Sequence, residues 1–210
     1  MMFDYNCIIS HSKLTKDKPT HAVILFAGRG FSSKYMFDIF NSLHDICNVI
    51  IFSIEPENEW YPIPNGFSDQ ENAVVGLKQN IPILREYVKN LLDENKIEIN
   101  NTILVGFSAG AVVALELATR FQDNYNLVVC HSGAILCPDK LTKCTISTNI
   151  LLFHNEDDVC FSWNERYLPM RDALIANKYN VITEEKSLGG HLMCKNEIDL
   201  VVKIIHQVVA

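Results

Sequence analysis

The sequence predicts an α/β protein built on a mostly parallel central sheet with helices on both faces. Three observations carry that expectation. Short β-branched, apolar runs alternate along the chain with longer stretches of helical period. One such run, Thr102–Val105, passes through Gly106-Phe107-Ser108-Ala109-Gly110 directly into the Ala- and Leu-rich stretch Ala111–Arg120. The residues with chemistry to offer fall in loops that follow strands, where parallel sheets place their ligands.

Taken in order, Cys7-Ile8-Ile9 reads as a first edge strand, and the polar segment before Pro19 as a turn. His21–Phe26 is a strand that empties into Ala27-Gly28-Arg29-Gly30-Phe31. Ser32-Ser33 offers an N-cap for a helix over Tyr35–His44. Asn48–Ser53 is the next strand, followed by the aromatic loop Glu55–Gln70 with Trp60, Tyr61 and Phe67. An amphipathic stretch runs from Ser68 to about Asn95, with Pro82 expected to kink or break it. Asn126–His131, Asn149–His154 and Val181–Leu188 complete the strands. Helices are expected over Trp163–Asn177 and Lys195–Val209, whereas Ile135–Thr148 has no strong helical period. No repeat, linker or low-complexity tract interrupts the pattern, so residues 1–210 are expected to form a single domain.

Composition narrows the function classes. The 210 residues are 48% hydrophobic and 20% charged, enough for a substantial core. A net charge of −7 makes nucleic acid and anionic membrane poor partners. No apolar run reaches membrane-spanning length, and no charged segment followed by an apolar one marks a signal peptide. The 7 cysteines are odd in number and irregularly spaced, several inside apolar runs (Cys47, Cys130, Cys137). They read as buried reduced thiols, which favours a cytoplasmic setting. The closing helix is more apolar than one buried face requires. Packing on the sheet accounts for that, with a homodimer contact as the alternative.

The strand, G-x-S-x-G turn and helix form the setting of a nucleophilic serine. Glycines at 106 and 110 permit a bend too tight for side chains, and Ser108 stands at its apex. The helix N-terminus offers the N–H of Ala109 to a developing oxyanion. A serine hydroxyl needs a base, and the base needs an orienting acid. Of 7 histidines, His191 alone follows the last strand behind two glycines, in the order serine, acid, histidine. Glu156, Asp157 and Asp158 are the adjacent candidates for the acid. Gly28-Arg29-Gly30 suits a backbone that approaches substrate closely, which puts the N–H of Arg29 forward as second oxyanion donor. Phe31, Trp60, Tyr61, Phe67, Phe161 and Met193 lie on loops expected to surround Ser108, as an apolar acyl or aryl pocket.

These residues resemble the phospholipase/carboxylesterase branch of the α/β-hydrolases, which includes the acyl-protein thioesterases. The resemblance runs from the strand at His21 to the closing helix. It implies the α/β-hydrolase fold without a large lid domain. The family's His-Gly-x-x-Asp segment corresponds to His154-Asn155-Glu156-Asp157-Asp158, which implies Asp158 as the acid. Its early His-Gly-x-Gly segment corresponds to Ala27-Gly28-Arg29-Gly30. Where the thioesterases carry Gln after the nucleophile, this chain has Ala109. The implied activity is hydrolysis of a small-molecule ester or thioester through Ser108, Asp158 and His191. No metal or organic cofactor is implied. The rival readings are a non-catalytic ligand-binding protein on the same scaffold, and a serine hydrolase acting on peptide or lactone bonds.

Overall fold

The computed structural model describes residues 4–12, 18–62, 70–186 and 188–210. Among these, seven strands form one sheet: β1 (Tyr5–His11), β2 (His21–Phe26), β3 (Val49–Pro56), β4 (Thr102–Phe107), β5 (Leu127–His131), β6 (Asn149–Asn155) and β7 (Asn180–Lys186). Their spatial order is β1-β3-β2-β4-β5-β6-β7, with β1 antiparallel to β3 and every other pairing parallel.

The helices are α1 (Ser33–Ile39), α2 (Gln70–Asn95), α3 (Ala109–Phe121), α4 (Leu168–Ala176) and α5 (Lys195–Val209). They cover both faces of the sheet. Successive residues of β2 alternate between the two cores, which is why the strand reads as one apolar run. Ala22, Ile24 and Phe26 pack with residues of α2, α3 and α4. Val23 and Leu25 pack with Met36 of α1 and with Val201 and Ile205 of α5. Ile198, Leu200, Val202, Ile204, Val208 and Val209 are half-buried against that second core, so packing on the sheet accounts for the apolar excess of α5.

Three details depart from the sequence expectation. Pro82 lies inside a helix of 26 residues and does not end it. Leu77, Ile81, Leu84 and Val88 are all buried on the same face. Their burial outweighs the lost backbone hydrogen bond and ring clash, about 3 kcal/mol. The helix expected over Tyr35–His44 stops at Ile39 and continues as a 3-10 turn, Asn41–Asp45. That expected over Trp163–Asn177 opens with a π-turn, Trp163–Tyr167, before α4. Between β5 and β6 the chain makes only a short 3-10 turn, Pro138–Lys140, and no lid domain. All seven cysteines are free, with Cys47 and Cys194 exposed rather than buried. Among the described residues no helix is long and apolar enough to cross a membrane.

The connections set the position of the site. From β2 the chain steps outward to β3, then crosses back so that β4 lies on β2's other side. That reversal opens a crevice at the strands' carboxyl ends. The loops after β2 and β4 meet there, Phe26 lying in register with Gly106. The loops after β6 and β7 leave the same edge, Asn155 in register with Lys186.

Candidate active site

Ser108 sits between β4 and α3 with φ 55° and ψ −121°, a region that side chains other than glycine rarely occupy. Its neighbours explain how the strain is held. A Cβ on Gly106 would lie 2.4 Å from the Gly110 carbonyl oxygen, and one on Gly110 would lie 2.2 Å from that of Phe26. Neither position admits another residue without moving backbone. The Ser108 N–H donates to the His131 carbonyl (2.9 Å), and the Ser108 carbonyl accepts from Ala111 and Val112. The turn is thus pinned to β5 on one side and to α3 on the other.

The loops after β6 and β7 bring two distant side chains to this serine. His191 Nε2 lies 2.8 Å from Ser108 Oγ, and His191 Nδ1 lies 2.8 Å from Asp158 Oδ2. Asp158 is shut away from solvent, its side chain 0% exposed, while the imidazole retains 17% exposure. The second carboxylate oxygen of Asp158 accepts from the N–H groups of Cys160 (2.8 Å) and Phe161 (2.9 Å). Burial opposes charge on Asp158. The hydrogen bonds from His191 and the two amides outweigh it and hold the carboxyl below its ordinary pKa.

The three adjacent carboxylates have separate fates. Glu156 is exposed. Asp157 Oδ1 accepts from the N–H groups of Gly189 (2.9 Å) and Gly190 (2.7 Å). Of the three, Asp158 is the one that reaches the imidazole. Asn155 Nδ2 donates to the Gly190 carbonyl (2.9 Å), and its side chain fills the space where a Cβ on Gly189 would stand. Gly190 takes a positive φ of 60°, which suits glycine.

Glu197 joins this support from α5. Its carboxylate accepts from Lys186 Nζ (2.7 Å) at the start of the His191 loop and from the Cys194 N–H (2.7 Å) at its end. It also lies 3.0 Å from His131 Nε2 on β5. Burial again opposes the charge, and the bonds from His131 and Lys186 hold the group well below the usual carboxylate range. His154 lies beneath the acid loop, its Nε2 2.8 Å from the Phe161 carbonyl and its ring stacked on Tyr167. Burial pushes its pKa down.

Arg29 and Ala109 line one cavity of about 130 Å³, together with Gly28, Gly30, Phe31 and Trp60. Ala109 is the first residue of α3, so its N–H has no acceptor within the helix. The Arg29 guanidinium is already engaged, by Glu59 Oε1 (2.6 Å) and the Tyr61 carbonyl (2.8 Å).

The aromatic residues expected around the serine divide. Phe31 stands half-open on the cavity wall, packed on Tyr35 and Phe107. Tyr61 is a core residue, 4% exposed, a correction to its expected place in an open acyl pocket, whereas Trp60, 2% exposed, lines the cavity beside Arg29 and Ala109 from the core side. Apolar contacts with Tyr5 and Phe26 draw Trp60 inward, and its Nε1 donates to the Ala27 carbonyl (2.7 Å). It therefore braces the loop that carries Arg29 while showing an edge to the cavity. Phe161 is buried with its ring 5.9 Å from that of His191. Met193 is half-buried against the second core. Phe67 lies outside the described residues. Exposed apolar side chains occur in the loops that carry Asp158 and His191: Val159 (89% exposed), Leu188 (78%) and Leu192 (66%).

A mostly parallel sheet carrying a strained serine elbow, with an acid and a histidine delivered from later loops, defines the α/β-hydrolase class. Residues 10–209 match the model of the phospholipase/carboxylesterase family, and the chain belongs to that family. Solved structures share the fold at low identity. The esterase PE8 superposes with a TM-score of 0.85 at 19% identity, over 97% of this chain and 99% of that one. A carboxylesterase of Bacillus cereus gives 0.80 at 15% identity, over 97% and 94%. A phospholipase/carboxylesterase of Dyadobacter fermentans gives 0.75 at 18% identity, over 98% of each.

Proposed function

We propose that this chain is a serine hydrolase cleaving carboxylic esters or thioesters of small molecules through an acyl-enzyme. The observation that carries the reading is the single imidazole bridging Ser108 Oγ and Asp158 Oδ2 at 2.8 Å each. Ser108 Oγ attacks the acyl carbon while His191 Nε2 takes its proton. Asp158 keeps the other ring proton on Nδ1 and stabilises the imidazolium. The N–H groups of Arg29 and Ala109 receive the tetrahedral oxyanion, a donor of this kind contributing about 3 kcal/mol. His191 then protonates the leaving alcohol or thiol. Water then attacks the acyl carbon and gives a proton to the same nitrogen; as the acyl–Oγ bond breaks and the acid leaves, that proton passes to Ser108 Oγ and restores the enzyme.

The exposed apolar residues Phe31, Val159, Leu188 and Leu192 favour an apolar group on the substrate. The engaged guanidinium of Arg29 supplies structure, not an anchor for an acidic group. The cytoplasmic setting belongs to the same proposal; a homodimer contact is the alternative use of the closing helix, checked by sedimentation.

The test is a rate series over p-nitrophenyl esters of increasing acyl length and matched acyl thioesters, with Ser108→Ala as control. Hydrolysis that depends on chain length and vanishes in the variant supports the reading. Equal rates in protein and variant overturn it.

A further inference from the structure

Two residues beyond the acid, Cys160 places a sulfur beside the proposed triad. One ligand atom from each of Asp158, Cys160 and His191 lies within 4.8 Å of the others. We propose that these three side chains form a binding site for a thiophilic divalent cation such as Zn²⁺, and that its occupancy switches the hydrolase off. The inhibitory half rests on the function proposed above; the binding half does not.

The donor set has the composition of a zinc site: one carboxylate oxygen, one thiolate and one imidazole nitrogen, with a fourth position for water. Sulfur selects against magnesium and calcium, which take oxygen ligands. Zinc–ligand bonds of about 2.0–2.3 Å in a tetrahedron put one oxygen, one nitrogen and one sulfur roughly 3.3–3.6 Å apart, so donors now within 4.8 Å of one another close by up to about 1.2 Å on binding. Asp158 Oδ2, now 2.8 Å from His191 Nδ1 across a shared proton, must swing off the imidazole N–H axis to admit the ion between them. Asp158 Oδ1 accepts the Cys160 N–H at 2.8 Å, which holds the cysteine backbone against the acid and leaves the thiol free to turn toward it. Asp158 is buried, while Cys160 and His191 are half-exposed and leave an approach from solvent.

Binding balances with the loss of one proton. The thiol proton leaves to solvent and the sulfur coordinates as thiolate. The imidazole proton moves from Nδ1 to Nε2 as the metal takes Nδ1, so the ring stays neutral. Nε2 then points an N–H at Ser108 Oγ and cannot accept the serine proton. The ion therefore removes the base without touching the nucleophile.

The experiment titrates Co²⁺, a spectroscopic stand-in for Zn²⁺, into wild type, Ser108→Ala, Cys160→Ser, Cys160→Ala and the control Cys47→Ser. A near-ultraviolet thiolate-to-cobalt band saturating at one equivalent is expected in wild type, Ser108→Ala and Cys47→Ser. Both Cys160 variants should lose the band and bind at least tenfold more weakly. In parallel, Zn²⁺ inhibition of p-nitrophenyl acetate hydrolysis is read against each protein's own metal-free rate. It should be reversed by EDTA, with the half-inhibiting concentration at least tenfold higher in the Cys160 variants. Absence of the band in wild type, or its persistence without Cys160, overturns the site. A band in a protein that hydrolyses no ester upholds the site and overturns the function instead. Equal Zn²⁺ inhibition with and without Cys160 overturns the switch.

Discussion

Replacing Asp158 by Asn tests the division of labour between the two neighbouring aspartates. Asp158 accepts three N–H groups: Cys160 and Phe161 on one oxygen, His191 on the other. Asn keeps only one oxygen. Turned toward the two amides, it leaves its NH2 facing His191 Nδ1. Two donors cannot share that bond, so the imidazole moves its proton to Nε2 and loses its capacity as base. The opposite orientation would break two backbone bonds to save one. The expected outcome is a fall in kcat of ~10,000-fold, about 5.4 kcal/mol of barrier, with KM little changed. Asp157→Asn should behave differently. Asp157 holds the Gly189 and Gly190 amides and can keep one oxygen on both, so kcat should fall no more than about tenfold. Steady-state hydrolysis of p-nitrophenyl butyrate, with circular dichroism as a check on folding, measures both. An Asp158→Asn enzyme within tenfold of wild type, or an Asp157→Asn enzyme as damaged, would refute the reasoning.

Other outcomes follow from the same geometry. Glu197→Ala strands buried His131 and releases both ends of the His191 loop. Stability should fall by roughly 2–3 kcal/mol in urea titration, the low end for a lost buried partner because Lys186 stays partly in water. At temperatures where the variant is fully folded, kcat should fall more than KM rises. Gly110→Ala forces a Cβ to within 2.2 Å of the Phe26 carbonyl oxygen and should lower the urea midpoint by the equivalent of about 3 kcal/mol, or give insoluble protein. The pH dependence of Tm should show two descents on acidification. The His154 pKa is depressed by burial, so its contribution is complete above the unfolded value of 6.5 and declines as pH falls below it. Asp158 and Glu197 are depressed too, so theirs is complete above the unfolded values of 3.8 and 4.5 and is lost below them. His21 is depressed by burial as well, so His154→Gln should shrink the upper descent without abolishing it and should leave the lower one.

The sheet and the serine turn were legible because their causes are local. Burial on both faces writes continuous apolar strands, and the bend at Ser108 demands glycine at 106 and 110. The approach of His191 to Ser108 was legible from loop position and chain order. Its carboxylate neighbour was not legible from the residues alone: three adjacent carboxylates look alike until the loop chooses which one turns inward, and the choice of Asp158 as candidate came from family likeness. Trp60 and Tyr61 show the limit of composition: an aromatic loop reads alike whether its rings face ligand or core, and contacts with Tyr5 and Phe26 settle Trp60's direction. Glu197 left a faint trace, a glutamate three residues after a helix N-cap, concealed because the cap is Cys194 rather than serine or threonine. Pro82 misled because packing over 26 residues outweighs one broken bond.

The central claim is that Ser108 is an activated nucleophile. Treatment with a fluorophosphonate probe, followed by intact mass and peptide mapping, tests it most directly. The account predicts one equivalent of adduct on Ser108 and none on Ser108→Ala. Native, folded protein that takes up no probe, or carries it on another residue, would contradict it.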